Sequence, residues 1–170
     1  MLNFVQLTDC PFIAWKNNGG VTQELYKTGE DPFHVRISVA KVTSDGPFSI
    51  FPDHDRVLIL LKGNLRLNIS GVESELNPYE PLFFSGTEII SSQLINEVVS
   101  DFNVITLKGL KPKVQIMTFL EDQIEIRKGQ FLYVCEGEVR YENKKFSETL
   151  FFGEGFINPE KNFKGILINF

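Results

Sequence analysis

A chain of 170 residues with a formal net charge of −5 and singly scattered Lys and Arg has the size of one domain or of two small fused halves. It lacks the concentrated positive footprint that a phosphate backbone demands. Sixteen phenylalanines in a 42% apolar composition lean toward strands, while no apolar stretch reaches membrane-spanning length and Asp9 stands where a leader would carry basic residues. Cys10 and Cys135 show neither a CxxC pattern nor a nucleophile setting, so free thiols in a reducing compartment, the cytoplasm, are expected, with no nucleic-acid or membrane partner.

Along the chain, the first distinctive segment is Trp15-Lys16-Asn17-Asn18-Gly19-Gly20-Val21-Thr22-Gln23-Glu24, which holds the only tryptophan. It is too polar for core. Its adjacent glycines permit positive φ and close backbone approach, while Trp, Lys, Asn and Thr offer a flat apolar surface, a cation and hydrogen-bonding groups. An ordinary turn between two strands is the competing reading.

Short alternating runs broken by Gly, Pro, Asn and Asp predict strands over Phe33 to Val42, Arg56 to Leu61, Leu65 to Ile69, Asn103 to Leu107, Val114 to Phe119, Phe131 to Cys135, Val139 to Tyr141 and Gly165 to Phe170. Such a series without a long helix predicts an all-β sandwich or barrel. Ile90 to Val99, rich in Ser, Gln, Asn and Glu, reads as a connecting loop.

A repeat runs through this pattern. Val57 to Leu67 and Phe131 to Tyr141 both carry an apolar strand to a charged residue, then Gly63 or Gly137, then an apolar-Arg-apolar strand. A duplicated hairpin unit follows. The brief stretch Leu107 to Val114 between the copies predicts one compact body over 1-170, with approximate halves at 1-108 and 109-170 and strand exchange between them.

In Val35 to Val42 the apolar Val35, Ile37 and Val39 alternate with Arg36, Ser38 and Ala40. The polar set either faces solvent or, in a barrel, lines a cavity, where guanidinium groups would call for an anion. Arg56, following Asp53-His54-Asp55, is the second candidate. Arg36, Arg56 and Lys16 could then clamp a carboxylate. His34 and His54, the only histidines, lack ligand spacing, so neither metal nor any other cofactor is expected. No Gly-x-Ser-x-Gly elbow occurs, and acid–base work by His54, Glu24 or Asp55 stays open.

The segment from Trp15 to Glu24, then Arg36-Ile37-Ser38-Val39-Ala40, Asp45-Gly46-Pro47-Phe48-Ser49, Phe51-Pro52, Asp55-Arg56 and Asp101-Phe102-Asn103-Val104 together resemble the HutD/Ves family in order and spacing. The likeness covers about two thirds of the chain. It implies a bicupin, two small cupin-like (RmlC-like jelly-roll) β-barrels in one chain, lacking the usual metal-binding histidines. It further implies a regulatory or buffering role in histidine utilisation or stress response, through a small anionic metabolite such as N-formylglutamate or a related acyl amino acid. By matching position the pocket would be lined by Trp15, Lys16, Asn17, Gly19, Gly20, Thr22, Arg36, Ser38, Phe48, Ser49, Arg56 and Asn103. Asn18 replaces the first of three family glycines and Asp53 replaces a glycine after Phe-Pro, an added carboxylate expected to weaken anion binding at Arg56. A metal-free isomerase or hydrolase, and a protein-interaction module that includes a homodimer, are the alternatives.

Overall fold

The computed structural model describes residues 1–95, 98–118 and 122–170. Strands carry nearly all of its regular structure, with one short 3-10 turn at Leu7–Asp9. In chain order they are β1 (Leu2–Gln6), β2 (Ile13–Ala14), β3 (Gly20–Thr28), β4 (Val35–Val42), β5 (Gly46–Pro47), β6 (His54–Lys62), β7 (Leu65–Ile69), β8 (Val72–Leu76), β9 (Leu82–Ser85), β10 (Ile90–Leu94) and β11 (Val99–Leu107). Then follow β12 (Lys113–Thr118), β13 (Ile124–Ile126), β14 (Gln130–Glu136), β15 (Val139–Tyr141), β16 (Lys144–Phe146), β17 (Thr149–Gly153), β18 (Gly155–Pro159) and β19 (Lys164–Asn169).

Two compact units result. One is the continuous stretch Pro11–Leu110, and the other joins Met1–Cys10 to Lys111–Phe170. The first ten residues belong with the C-terminal unit because β1 pairs antiparallel along its whole length with β17, from Leu2 opposite Gly153 to Gln6 opposite Thr149.

In Pro11–Leu110, a six-stranded sheet of order β2-β3-β4-β11-β6-β9 accompanies a four-stranded sheet of order β5-β10-β7-β8. Alternation gives each sheet an inward apolar row, and Val42, Leu58, Leu60, Leu65, Leu67, Leu76, Ile90 and Val99 from both sheets form one buried cluster. In the other unit the sheets are β1-β17-β14-β19-β12 and β13-β18-β15-β16. Their shared cluster includes Leu2, Ile126, Leu132, Val139, Phe146, Phe151, Ile157 and Phe163.

The repeat is geometric as well as sequential. Gly63 and Gly137 both turn with positive φ, 83° and 69°. The ladder also slips by one residue at the same place in each copy, since β6 carries Leu61 as an extra residue against β11 and β14 carries Cys135 against β19. Cys10 and Cys135 are not joined to each other in a disulfide.

Two expectations change. Ile90 to Leu94 is strand rather than loop: Ile90 and Ser92 are buried, the Ser92 hydroxyl donates to the Gly46 carbonyl at 3.2 Å, and this inward serine masks an otherwise regular alternation. The polar segment after Trp15 supplies the long strand β3, paired throughout with β4. Asn96 and Glu97 of the expected loop, and Phe119 at the end of the expected strand Val114 to Phe119, lie outside the described residues. No helix among the described residues is long and apolar enough to cross a membrane.

Candidate functional site

Within the unit Pro11–Leu110, a cavity of about 670 Å³ opens beside the apolar cluster, a size typical of small-molecule sites. Its wall is the inward row of the six-stranded sheet: Thr22 from β3, Arg36, Ser38 and Ala40 from β4, Arg56 and Leu58 from β6, and Asp101, Asn103 and Ile105 from β11. Strand alternation accounts for the selection, because Val35, Ile37 and Val39 are buried on the opposite face of β4. Two further segments complete the lining, Ile13 to Asn17 and Pro47 to Ser49 with Phe51.

The segment Ile13 to Asn17 is held by its own turn. The Trp15 amide donates to the Gly20 carbonyl at 2.9 Å, the Asn18 amide to the Trp15 carbonyl at 3.0 Å, and the Trp15 indole N–H to the Thr22 hydroxyl at 2.8 Å. Positive φ falls on Asn18, at 56°, and not on the glycines after it; the asparagine side chain tolerates that geometry. Gly20 is needed for close approach instead, since a Cβ there would stand 2.4 Å from the Lys41 carbonyl oxygen. Ten of the twelve residues expected in the pocket line the cavity: Trp15, Lys16, Asn17, Thr22, Arg36, Ser38, Phe48, Ser49, Arg56 and Asn103. Gly19 and Gly20 do not line it; they shape the turn beneath Trp15.

The two arginines differ. Arg36 is neutralised on the spot, its Nε donating to Glu24 Oε2 at 2.7 Å, so it is not one half of a symmetric clamp. Arg56 is 8% exposed and makes no ion pair among the described residues. Its Nη1 donates to the Ser49 carbonyl at 3.0 Å and its Nη2 to Asn103 Oδ1 at 3.0 Å. The guanidinium carbon lies 5.5, 5.4 and 5.0 Å from the ring centres of Phe48, Phe51 and Phe84. Its Nε, buried, has no hydrogen-bond partner among the described residues.

The carboxylate facing Arg56 is Asp101, not Asp53, which is exposed and outside the lining. Asp101 reaches Arg56 through Asn103, whose Nδ2 donates to Asp101 Oδ1 while its Oδ1 accepts from the guanidinium. Burial pushes the Asp101 carboxyl up to about 7, against the opposing pull of Arg56 and of the Asn103 hydrogen bond. Burial likewise pulls the Arg56 guanidinium down to about 10, with Asp101 raising it and Arg36 lowering it. Arg56 therefore stays charged at neutral pH.

His54 is outside the lining. Buried and stacked on Phe33 at 4.0 Å between centroids, it shares a 2.8 Å hydrogen bond with the Phe33 carbonyl through Nε2. Since a carbonyl can only accept, Nε2 carries the proton. His34, just before β4, is exposed. Asp55, opposite Thr106 and Ser85, alternates to the face away from Arg56. The acid–base group inside the cavity is thus Asp101.

A resident cation does not fit this lining, which has no imidazole or thiol and one carboxylate among Lys16, Arg36 and Arg56. No group of three or more His, Cys, Asp or Glu among the described residues is arranged to hold a metal.

The second copy of the repeat lacks the trio. Superposing the repeat through its shared bulge places Gln130 at Arg56, Gly165 at Asp101 and Leu167 at Asn103. There Leu132, Phe151 and Phe163 pack with Met117 and Leu167, so an uncharged amide, a glycine and an apolar side chain stand where the first unit keeps Arg56, Asp101 and Asn103.

Residues 7–157 match the family model described as HutD. The chain belongs to the HutD family. Among curated relatives it is 35% identical over 109 residues to an uncharacterized 21.2 kDa protein in the hutC 3' region of Pseudomonas putida, covering 61% of this chain and 57% of that one. It is 31% identical over 122 residues to Protein Ves of Escherichia fergusonii, covering 68% and 63%. The alignments thus span about three fifths of those relatives' length. Similar solved structures include a conserved protein of unknown function from Pseudomonas aeruginosa (TM-score 0.85, 21% identity, 99% and 98% coverage) and HutD from Pseudomonas fluorescens (0.81, 23%, 99% and 97%). A cupin 2 conserved barrel protein from Leptotrichia buccalis matches at 0.62 with 12% identity and 98% and 95% coverage. The all-β, cupin-type fold of this HutD member is thereby shared across widely diverged sequences.

Proposed function

We propose that this HutD-family chain binds a small carboxylated metabolite, N-formylglutamate or a related acyl amino acid, in a metal-free cupin cavity. The role that follows is regulatory or buffering, in histidine utilisation. The observation that carries the reading is Arg56: a charged guanidinium, desolvated against three aromatic rings, with no ion pair and with a buried Nε lacking an acceptor among the described residues. Such a group is stabilised by an incoming anion, and Arg supplies the planar fork that matches a carboxylate. Trp15 and Phe48 give apolar walls for the rest of the ligand, and Lys16 at the exposed rim favours approach of negative charge. The position of one relative in the hutC 3' region supports the metabolic setting.

Isothermal calorimetry with N-formylglutamate on the wild type and on Arg56→Ala tests it. Removing one partner of a buried charge-assisted pair is expected to cost about 2–5 kcal/mol of binding free energy. Equal affinity in the two proteins would take Arg56 out of the site, and absence of binding by any acyl amino acid or simple carboxylate would end the proposal.

A further inference from the structure

Asp101 poses a question that the anion reading leaves open. An anion held by Arg56 would share one cavity with a buried carboxyl group, and like charges in a poorly solvated site repel strongly. The surroundings of Asp101 offer little to offset this. Its cross-strand neighbours are Ala40 on β4 and Leu60 on β6. The charged groups around the cavity are Arg56 from β6, Arg36 from β4 with Glu24 of β3 on its Nε, and Lys16 from the segment before β3. Pro47 to Ser49 and Phe51 contribute no charge. None of the cations forms an ion pair with Asp101 among the described residues, and its one hydrogen bond comes from Asn103 to Oδ1. Asn103 cannot reverse its amide without turning its N–H groups on the guanidinium, so that contact is fixed.

We infer that Asp101 is a ligand-contacting residue that takes up a proton as a carboxylate docks on Arg56, so that the site captures the anion together with one H⁺. The balance is simple. The proton comes from solvent, Asp101 becomes a neutral carboxylic acid, and its O–H donates to a ligand carboxylate oxygen whose charge is matched by Arg56. This rests on the carboxylate reading of the cavity and assigns Asp101 a role within it.

The electrostatics agree in sign. The free site holds the Asp101 carboxyl at about 7 with Arg56 pulling it down. A carboxylate paired with Arg56 removes that pull and adds a negative charge, so the bound site titrates higher. Below about 7 the residue is already neutral, no proton is taken up, and affinity is flat with pH. Above about 7, affinity falls up to tenfold per pH unit until the bound-state titration point is reached.

The test is calorimetry of the full chain with N-formylglutamate, and with acetate as a minimal carboxylate, at pH 5.5 and 8.5 in buffers of different ionisation enthalpy. The wild type is expected to take up close to one proton at pH 8.5 and close to none at 5.5. Asp101→Asn, whose amide can donate where the acid O–H did, is expected to bind with pH-independent affinity and no proton uptake. Binding without buffer-dependent heat in the wild type overturns the inference and leaves the anion site standing. Uptake that persists in Asp101→Asn overturns the assignment to Asp101. Lack of binding by either probe at both pH values overturns the underlying reading and this inference with it. Should Asp101→Asn not fold, the wild-type proton stoichiometry decides alone.

Discussion

Replacing Asp101 with asparagine should make the unliganded protein markedly more stable at alkaline pH while leaving it nearly unchanged in acid. The carboxyl titrates at 3.8 in an unperturbed setting and at about 7 in the fold. Below 3.8 both folded and unfolded chains carry the proton, and the buried group exerts no pH dependence. Between these values the unfolded chain releases its proton while the fold retains it, so stability falls as pH rises through the folded value and then levels off. At about 1.4 kcal/mol per pH unit, the difference amounts to something on the order of 4 kcal/mol. Asparagine has the shape of the neutral acid, can still accept from the Asn103 amide, and does not titrate. Urea unfolding followed by the fluorescence of Trp15, the only tryptophan and itself in the cavity wall, measures both proteins from pH 4 to 8.5. The variant's advantage should grow with pH toward that figure, corresponding to a rise in Tm of roughly 10 °C at the alkaline end. A difference that stays constant with pH would show that Asp101 titrates as an ordinary carboxylate, and the account of its burial would be wrong.

Two other substitutions probe the frame of the cavity. Gly20→Ala places a methyl 2.4 Å from a backbone carbonyl of β4, and should cost about 1–3 kcal/mol in denaturant unfolding. Gly19→Ala, facing the adjustable Ser44 hydroxyl at 3.0 Å, should cost clearly less. Glu24→Gln keeps an oxygen for Arg36 but removes the charge that cancels it; titration with N-formylglutamate should show a few-fold tighter binding that weakens as salt is added.

How far the sequence could be read follows from what each residue does. The shared face of Arg36 and Ser38 was legible because Val35, Ile37 and Val39 force the parity of β4, while alternation alone left open whether that face meets solvent or a cavity; Leu65–Ile69 and Val139–Tyr141 have their expected bounds because turn residues flank them. The strand β8 was not legible, since four of its five residues are exposed and no apolar alternation marks it. Glu24 was named only as an open acid–base candidate, and its pairing with Arg36 was hidden by a register shift between Glu24 and Tyr26 that breaks simple counting across β3. Asp101 was not among the expected lining residues, since the strand was expected to begin at Asn103. The parity it shares with Asn103 and Ile105 on β11 was the available signal.

The pairing of β1 with β17 bears on how the polypeptide matures during synthesis. Every strand of the cavity-bearing unit lies in one unbroken stretch, Pro11–Leu110, which can close its sheets while the ribosome is still translating the remainder. Leu2–Gln6 emerges well before Thr149–Gly153, with which it pairs, leaving an apolar edge uncovered across the whole interval. Closing so long a loop carries an entropic cost that grows only slowly with length, but the delay exposes a strand edge to misassociation. The cavity of the continuous unit can therefore form before the other unit has all of its strands.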